Sequence, residues 1–276
     1  MTVSSNDFIA QSVAALQEPE RLSTRNALGK YMPAMRTRAV EEFGDFEGLR
    51  EHVASVRQHA LDNLDYYLPQ FEQQAIDNGN QVHYALTGAE LNDIVLSICQ
   101  RHNARKIAKG KSMVTEETEL NHHLERAGLE VVETDLGEYI IQQAGETPSH
   151  IVGPALHKPE AEIRELFLDK HPLGPRELED PPAMVEEARS VLREHFLSAD
   201  VGIVGANALI AENGYSLLVT NEGNGDLCAN LPNILIVCTT MERVLPRARD
   251  AAALVRLLTR STTGQSISCY TSYYSG

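Results

Sequence analysis

The sequence predicts an α/β fold in which a mainly parallel sheet is flanked by helices and preceded by a helical N-terminal extension. The chain has 276 residues, of which 42% are hydrophobic and 23% charged, as is typical of a globular protein. From about residue 80 onward, short apolar runs alternate with amphipathic helical stretches, which is the pattern of βαβ units. The N-terminal third instead shows a helical spacing of apolar residues. We therefore expect an extension over residues 1–78 and one α/β domain over residues 79–276.

The helical extension is predicted from apolar residues that recur at three- and four-residue steps. One such helical face is formed by Leu49, Val53, Val56, Ala60, Leu64 and Tyr67. Residues 8–42 carry a weaker helical pattern, which we expect to be interrupted at Pro19, Gly29 and Pro33. The extension is therefore predicted to be an arm of helices that lies on the main domain.

The main domain is predicted from the alternation of strand and helix patterns along the chain. Predicted strands cover residues 82–86, 106–108, 130–133, 150–152, 201–204, 215–220, 234–239 and 268–274. Predicted helices cover residues 90–102, 116–127, 136–143, 160–168, 183–196 and 251–258. Elements of these lengths in this order indicate a sheet that is covered by helices on both faces. The proline-rich segment 171–182 is predicted to be an exposed connection inside the domain.

The acidic composition excludes two broad classes of partner. The formal net charge is −15 and the pI is about 5.1, so a nucleic acid or an anionic membrane surface would be repelled. No apolar run approaches the roughly 20 residues that span a bilayer, and the first residues lack the pattern of a secretory signal. We therefore expect a cytoplasmic protein without membrane insertion.

The four cysteines predict neither a disulfide framework nor an iron–sulfur centre in these residues. Cys99, Cys228, Cys238 and Cys269 are far apart in the sequence. An iron–sulfur cluster is held by about four thiolates, which are usually closely spaced. We interpret the cysteines as buried free thiols and expect no cofactor and no metal in these residues.

A basic segment follows the strand predicted at residues 106–108 and carries the first candidate site. Ligands of open α/β sheets bind beyond the carboxyl ends of the strands. Lys109, Lys111 and Ser112 stand there and are followed by Thr115, which we expect to cap the next helix. Lysines beside a helix start suit a small anionic ligand such as a phosphate or a carboxylate. A solvated strand end with a capped helix explains the segment equally well, so both interpretations stay open.

Glu212 is the candidate catalytic residue. It lies in a Glu-Asn-Gly turn at residues 212–214, in a segment that also carries Asn207. Such a glutamate could be a nucleophile toward an acyl thioester, a general base or a capping acceptor. The structural role is favoured on this evidence because most acidic residues beside turns are structural.

Two further strand ends complete the candidate site. The turn at residues 221–226 carries Asn221, Glu222 and Asn224, and its backbone N–H groups would point into the crevice. His157 follows the strand predicted at residues 150–152, where a histidine is more often structural than catalytic. The predicted binding residues are therefore Lys109, Lys111, Ser112, Thr115, His157, Asn207, Asn221, Glu222 and Asn224.

Several of these segments together resemble one protein family. The motifs KSMVTEE, ETDLGEYII, PSHIV, FLSADVG, TNEGN and RSTTGQ stand at residues 111–117, 133–141, 148–152, 196–202, 220–224 and 260–265. In this order they are similar to the LUD (lactate-utilisation) domain family, and most of all to its lactate-utilisation protein B members. The resemblance covers the chain from about residue 20 to its end.

The resemblance implies both a fold and a role. The implied fold is similar to that of the sugar-phosphate isomerase and CoA-transferase group (NagB/RpiA/CoA transferase-like). The implied role is the bacterial oxidation of L-lactate to pyruvate, together with other lactate-utilisation proteins of the same operon. The resemblance also implies a C-terminal ferredoxin-like segment, so we expect [4Fe-4S] clusters and electron transport only where such a segment follows these residues.

Three hypotheses for the function are carried forward. The leading hypothesis is an accessory or electron-transfer subunit of a lactate-oxidising complex, rather than an enzyme that acts alone. The second is an acyl- or CoA-transferase-like enzyme that uses Glu212, although the family would carry Glu-Thr-Gly where this chain has Glu-Asn-Gly. The third is a non-catalytic interaction module.

Asp226 also departs from the family pattern, because the family tends to have a basic residue after the motif at residues 220–224.

Overall fold

Four parallel strands form the central sheet, which we call sheet A. The computed structural model describes residues 7–17, 19–148 and 153–276. The strands of sheet A are β1 (Lys106–Lys109), β2 (Glu130–Glu133), β3 (Val201–Val204) and β6 (Ile234–Val237). Their order is β2-β1-β3-β6, and every neighbouring pair is parallel. The predicted bounds of β2 and β3 agree with the structure, and the predicted β1 is one residue short.

Helices cover both faces of sheet A, as the sequence predicts. They are α5 (Gly88–Arg101), α6 (Met113–Glu117), α7 (Leu120–Arg126), α8 (Leu136–Ala144), α9 (Glu160–Lys170), α10 (Pro181–Ser198) and α11 (Asn224–Asn230). Because side chains alternate along a strand, Ile107 packs with the residues of α5 and α7 on one face. Its neighbour Ala108 packs on the other face with residues of α8, α9 and α10. The chain is therefore an α/β protein with a buried parallel sheet.

The remaining described strands form a second sheet, which we call sheet B and which the sequence pattern alone does not separate from sheet A. Its strands are β4 (Ala208–Ile210), β5 (Tyr215–Thr220), β7 (Val244–Leu245) and β8 (Tyr270–Tyr274), in the order β7-β4-β5-β8. β5 runs antiparallel to both β4 and β8, whereas β7 is parallel to β4. Helix α12 (Ala248–Thr262) packs on sheet B through Ala251. The prediction of a mainly parallel sheet is therefore correct for sheet A.

Four helices form the N-terminal part of the structure. They are α1 (Phe8–Leu16), α2 (Pro19–Phe43), α3 (Phe46–Asp62) and α4 (Leu64–Asp77). The predicted interruption at Pro19 is confirmed, because the missing N–H of a proline costs nothing at the first position of a helix. The interruptions at Gly29 and Pro33 are wrong, since α2 runs through both residues while it packs against α3 and α12.

Helices α3 and α4 bury apolar side chains against sheet B. Phe71 and Ala75 of α4 form one cluster with Leu209 of β4 and Val244 of β7. Gly214, at the turn between β4 and β5, has a φ of +72° and lies so close to α4 that a Cβ would stand 2.4 Å from the backbone nitrogen of Ala75. The helical arm therefore contacts the main domain tightly, and the boundary predicted at residue 78 stays a prediction.

Three local predictions need correction. The apolar helical face at residues 49–67 is divided between α3 and α4, because Asn63 closes α3 by donating its side-chain amide to the His59 carbonyl. The strand predicted at residues 82–86 is wrong: this segment finds no sheet partner among the described residues, and its Val82 packs into the α4 cluster instead. The helix predicted at residues 116–127 is divided between α6 and α7 by Glu119, whose φ is +55°.

The proline-rich connection at residues 171–182 is mostly exposed, as predicted, except at two buried residues, His171 and Leu178. His171 Nδ1 lies 2.6 Å from a carboxylate oxygen of Glu187, and its Nε2 lies 3.0 Å from the Tyr139 hydroxyl. Arg176 also pairs with Glu187 and thereby lowers the pKa of that carboxyl. The connection is therefore held in place by a buried polar network.

Two further predictions concern the cysteines and the strand at residues 150–152. Three cysteines are buried as predicted, but Cys269 is exposed, because it precedes the edge strand β8. The strand predicted at residues 150–152 lies outside the described residues. Within the described part of the chain, no helix is long and apolar enough to span a bilayer.

Candidate functional site at the carboxyl edge of sheet A

The carboxyl ends of β1 and β2 bring a lysine and a glutamate together in a buried position. The parallel register pairs Lys109 with Glu133, and the Lys109 Nζ lies 2.7 Å from the Glu133 Oε1. Their side chains are only 1% and 7% exposed. The same register pairs Lys106 with Glu130 at the other end of the strands, at 3.1 Å and with the glutamate 56% exposed. Only the pair at the carboxyl edge is removed from water.

Further polar side chains surround this ion pair. Asn121 of α7 donates its side-chain amide to Glu133 Oε1 at 2.6 Å. Glu138, in the first turn of α8, is 4% exposed and interacts with Glu116 of α6 as well as with Glu133 and Lys109. We call the five residues Lys109, Glu116, Asn121, Glu133 and Glu138 the edge cluster. It unites side chains from two strands and three helices.

The charges of the edge cluster shift the pKa values of Lys109 and Glu138. Burial by itself lowers the pKa of Lys109, but the carboxylates of Glu133, Glu138 and Glu116 outweigh it and raise the pKa above the ordinary value. Burial, the hydrogen bond with Glu116 and the charge of Glu133 raise the pKa of Glu138 to about 10, against the opposing effect of Lys109. Lys109 is therefore charged and Glu138 is neutral at neutral pH.

A second set of hydrogen bonds fixes the chain around the Lys109 carbonyl. Thr134 donates both its backbone N–H and its hydroxyl to that carbonyl oxygen, each at 2.9 Å. Asn224, the first residue of α11, donates its side-chain amide to the Thr134 hydroxyl oxygen at 3.4 Å. Burial raises the pKa of the nearby Cys228 thiol to about 12, so this thiol stays protonated. The start of α11 is therefore tied to the end of β2.

Glycines allow α11 to lie directly on the sheet. A Cβ at Gly202 of β3 would stand 1.7 Å from the carbonyl oxygen of Cys228, and a Cβ at Gly110 would stand 3.7 Å from the Cα of Gly225. No side chain fits at the first position without moving the helix backbone. This close approach places Asn224 beside the ends of β1 and β2.

Two of the predicted anion-binding residues have roles that differ from the expectation. The residue at the N-cap of α6 is Ser112, and Thr115 lies inside the helix, where its hydroxyl donates to the Ser112 carbonyl at 2.9 Å. The prediction that Thr115 caps this helix is therefore wrong by three residues. Both side chains are buried, whereas Lys111 beside them is partly exposed.

Asn207 and Asn221 make hydrogen bonds to sheet B and to the segments beside it. Asn207 accepts the backbone N–H of Val219 at 2.8 Å through its side-chain oxygen. Asn221 donates to the side chain of Gln265 at 3.0 Å and accepts the backbone N–H of Cys269 at 3.3 Å. These contacts fix β5 and the segment before β8. Glu222 is exposed next to them.

Glu212 and His157 lie apart from the edge cluster. Glu212 follows β4 at the turn of the β4–β5 hairpin, whose opposite end carries Asn207. Its carboxylate accepts the backbone N–H of Ala248 at 2.9 Å, which caps the start of α12. His157 pairs with Glu146, beyond the C-terminal end of α8, at 2.8 Å. The catalytic role of Glu212 stays a prediction.

The structure thus gathers part of the predicted site and adds residues that were not predicted. Lys109, Lys111, Ser112, Thr115 and Asn224 come to the carboxyl edge of sheet A. The unpredicted members are Glu116, Asn121, Glu133, Thr134 and Glu138. A signal for four of these was present, because Glu133, Thr134 and Glu138 stand in the motif at residues 133–141 and Glu116 stands in the motif at residues 111–117.

The family of the chain follows from comparison with known proteins. Residues 68–276 match the LUD domain family. The chain belongs to the LUD domain family. The resemblance that its motifs indicated is thereby confirmed.

Relatives of this LUD domain protein carry the name lactate utilization protein B. The protein of that name from Bacillus velezensis is 45% identical over 272 residues, which is 98% of this chain and 54% of the relative. The relative from Bacillus subtilis is 44% identical with the same coverage, and that from Oceanobacillus iheyensis is 42% identical over 271 residues. The chain thus spans about half the length of the curated relatives it matches. No solved structure matches it.

Proposed function

We propose that this LUD domain protein takes part in the utilisation of L-lactate, as an accessory or electron-transfer subunit of a cytoplasmic complex that oxidises lactate to pyruvate. The observation that carries the proposal is the 45% identity, over 98% of this chain, to lactate utilization protein B of Bacillus velezensis. The other lactate-utilisation proteins of the same operon are the proposed partners.

The oxidation of lactate to pyruvate releases two electrons and two protons, so a complex that performs it needs an electron acceptor. The described cysteines do not fit a [4Fe-4S] cluster, because no group of three possible ligands lies together among the described residues, and Cys228 is buried in a different apolar cluster from Cys99 and Cys238. We therefore assign electron transfer to a segment outside these residues or to the partners. The role of this domain is then to bind an anionic ligand or a partner.

Lys111 is the residue that we assign to an anion at the carboxyl edge. Lys109 is almost completely buried, so an incoming carboxylate does not reach its ammonium group. Lys111 is partly exposed and precedes the buried Ser112 at the start of α6. A partly exposed lysine beside the start of a helix suits a small carboxylate.

Growth on lactate tests the proposed function. Deletion of the gene is expected to abolish growth on L-lactate as the sole carbon source and to leave growth on pyruvate unchanged. The wild-type gene restores growth on lactate, and Lys111→Ala restores it less well than Arg126→Ala, a variant of an exposed basic residue on α7. Unchanged growth of the deletion strain on lactate would contradict the proposed role, and equal rescue by both variants would remove the role of Lys111.

A further inference from the structure

The edge cluster holds more negative charge than positive charge; Lys109, Glu133 and Glu138 are buried, and Glu116 is partly exposed. Its acidic members are Glu116, Glu133 and Glu138, and its basic member is Lys109. With all four groups ionised, the cluster would carry two uncompensated negative charges. An unpaired charge in the protein interior costs several kcal/mol and is avoided by pairing or by neutralisation.

The buried oxygens of the edge cluster that lack a hydrogen-bond donor indicate where the excess negative charge is compensated. Both carboxyl oxygens of Glu138 are buried without a donor from any described residue, and so are Glu116 Oε1 and Glu133 Oε2. The side-chain oxygen of Asn121 is in the same state. Buried acceptors are nearly always satisfied, so this group of five oxygens indicates that a donor is held among them.

We infer that the edge cluster is a proton-binding site, in which Glu138 keeps its proton at neutral pH and donates it to the facing carboxylate of Glu116. One proton turns two facing acceptors into a hydrogen-bonded pair and removes one of the two excess charges. Two carboxyls that share a site behave in this way because both cannot be ionised together.

The groups that face Glu138 from each neighbouring element support this assignment. The carboxylates of Glu116 on α6 and Glu133 on β2 favour the protonated form, whereas the ammonium of Lys109 on β1 opposes it. Asn121 of α7 is neutral. The balance places the pKa of Glu138 at about 10.

The site also couples its proton to the Lys109–Glu133 pair. A ligand or partner that draws Glu133 away removes a charge that raises the pKa of Glu138, and one that neutralises Lys109 removes a charge that lowers it. Binding at the carboxyl edge is therefore expected to shift the pH range over which Glu138 loses its proton. A metal ion is the competing occupant, although the described residues contain no group of three ligands arranged to hold one.

Infrared spectroscopy of the whole chain tests the proton directly. At about pH 8, well above the pKa of an ordinary carboxyl, the wild-type protein is expected to show the C=O stretching band of a protonated carboxyl group. Glu138→Gln removes this band. Glu117→Gln, the same change at the exposed neighbour of Glu116, leaves it in place. Absence of the band from the wild type, or its persistence in Glu138→Gln, would overturn the inference.

A second variant and a second measurement guard against misfolding of Glu138→Gln. In Glu116→Gln the new amide can donate to an ionised Glu138, so the band is expected to disappear at a lower pH than in the wild type. Because Glu138 binds its proton more tightly in the folded state, its stabilising effect is present below the ordinary pKa and is lost as the pH rises toward about 10. Over that interval, the wild-type folding equilibrium constant should fall about tenfold per pH unit relative to Glu138→Gln.

Metal analysis and chelator treatment distinguish a bound metal ion from a bound proton. One divalent cation per chain, retained after dialysis against metal-free buffer and removed by a chelator together with a loss of stability, would overturn the inference. An unchanged unfolding temperature after chelator treatment, with the infrared band present, supports it.

Discussion

Lys106 and Lys109 of β1 show how strongly burial changes the contribution of an ion pair to stability. Lys106 and Lys109 pair with glutamates in the same parallel register, but only the second pair lies out of reach of water. Exposed pairs contribute about 0–1 kcal/mol because water and salt screen them. Breaking a buried pair costs about 3–5 kcal/mol, since it leaves an uncompensated charge behind. The register that decides between these cases is not visible in the sequence, and Glu133 was therefore missed.

Lys109→Met is expected to lower the free energy of unfolding by about 3–5 kcal/mol, because Glu133 would remain buried without its cation. Lys106→Met, the matched change at the exposed pair, should cost less than about 1 kcal/mol. Urea unfolding at neutral pH measures both. The double variant Lys109→Met/Glu133→Gln removes the stranded charge and should recover part of the loss. Equal costs for the two lysines would show that the Lys109 pair is hydrated.

Glu212 offers a test that separates its structural role from the predicted catalytic one. Glu212→Ala removes the acceptor for the Ala248 N–H and is expected to destabilise the protein by about 1 kcal/mol, as the loss of a helix cap does. Thermal unfolding measures this effect. Incubation of the wild type with an acyl-CoA, followed by hydroxylamine and mass analysis, is expected to leave Glu212 unmodified. A hydroxamate at Glu212 would instead support the acyl-transfer hypothesis.

At the scale of elements, the sequence was most informative where an element is short, buried and bounded by polar residues. The bounds of β2, β3 and β5 were predicted correctly because their apolar runs end abruptly. The segment at residues 82–86 has a similarly apolar composition, but its Val82 packs on α4, and the segment pairs with no strand among the described residues. Partner strands are remote in sequence, so the division into two sheets, and with it the position of Glu212, could not be predicted.

Gly202→Ala tests the contact between β3 and α11. The new methyl group would stand 1.7 Å from the Cys228 carbonyl oxygen, so the helix must move, at a cost of about 1–3 kcal/mol or more. Hydrogen exchange should show lost protection in α11 as well as a lower unfolding temperature. Gly174→Ala, at a position with open space around it, is the control and should leave both unchanged. Full protection of α11 in Gly202→Ala would contradict the close packing.

For the whole molecule, the central question is whether the α/β part folds without the helices before it. Helices α3 and α4 bury Ala60, Phe71 and Ala75 in clusters shared with the strands of sheet B. Helix α1 instead contacts α2 and exposes its apolar residues. The sequence predicted the existence of this arm, but its share in the core of sheet B follows from contacts between remote segments.

A chain that starts at residue 79 is expected to lose cooperative unfolding, because it would expose the face of sheet B on which Phe71 and Ala75 pack, and a domain is usually stable by only about 5–15 kcal/mol. The matched control starts at residue 18, lacks α1 only, and should keep the unfolding temperature of the full chain. Calorimetry of the two purified proteins measures this. Cooperative unfolding of the shorter chain would support the domain boundary predicted at residue 78.

Asp226 has a consequence for any attempt to recombine this protein with its relatives. Its carboxylate accepts hydrogen bonds from the hydroxyl groups of Ser272 and of Tyr274, at 3.0 Å from the latter, and so joins α11 to the edge strand β8. A basic residue at this position, which the family resemblance leads one to expect, would supply no acceptor for these two hydroxyl groups. Residue 226 and strand β8 should therefore come from the same parent protein. A chimaera whose crossover point falls between them is expected to fold less well than one that transfers both.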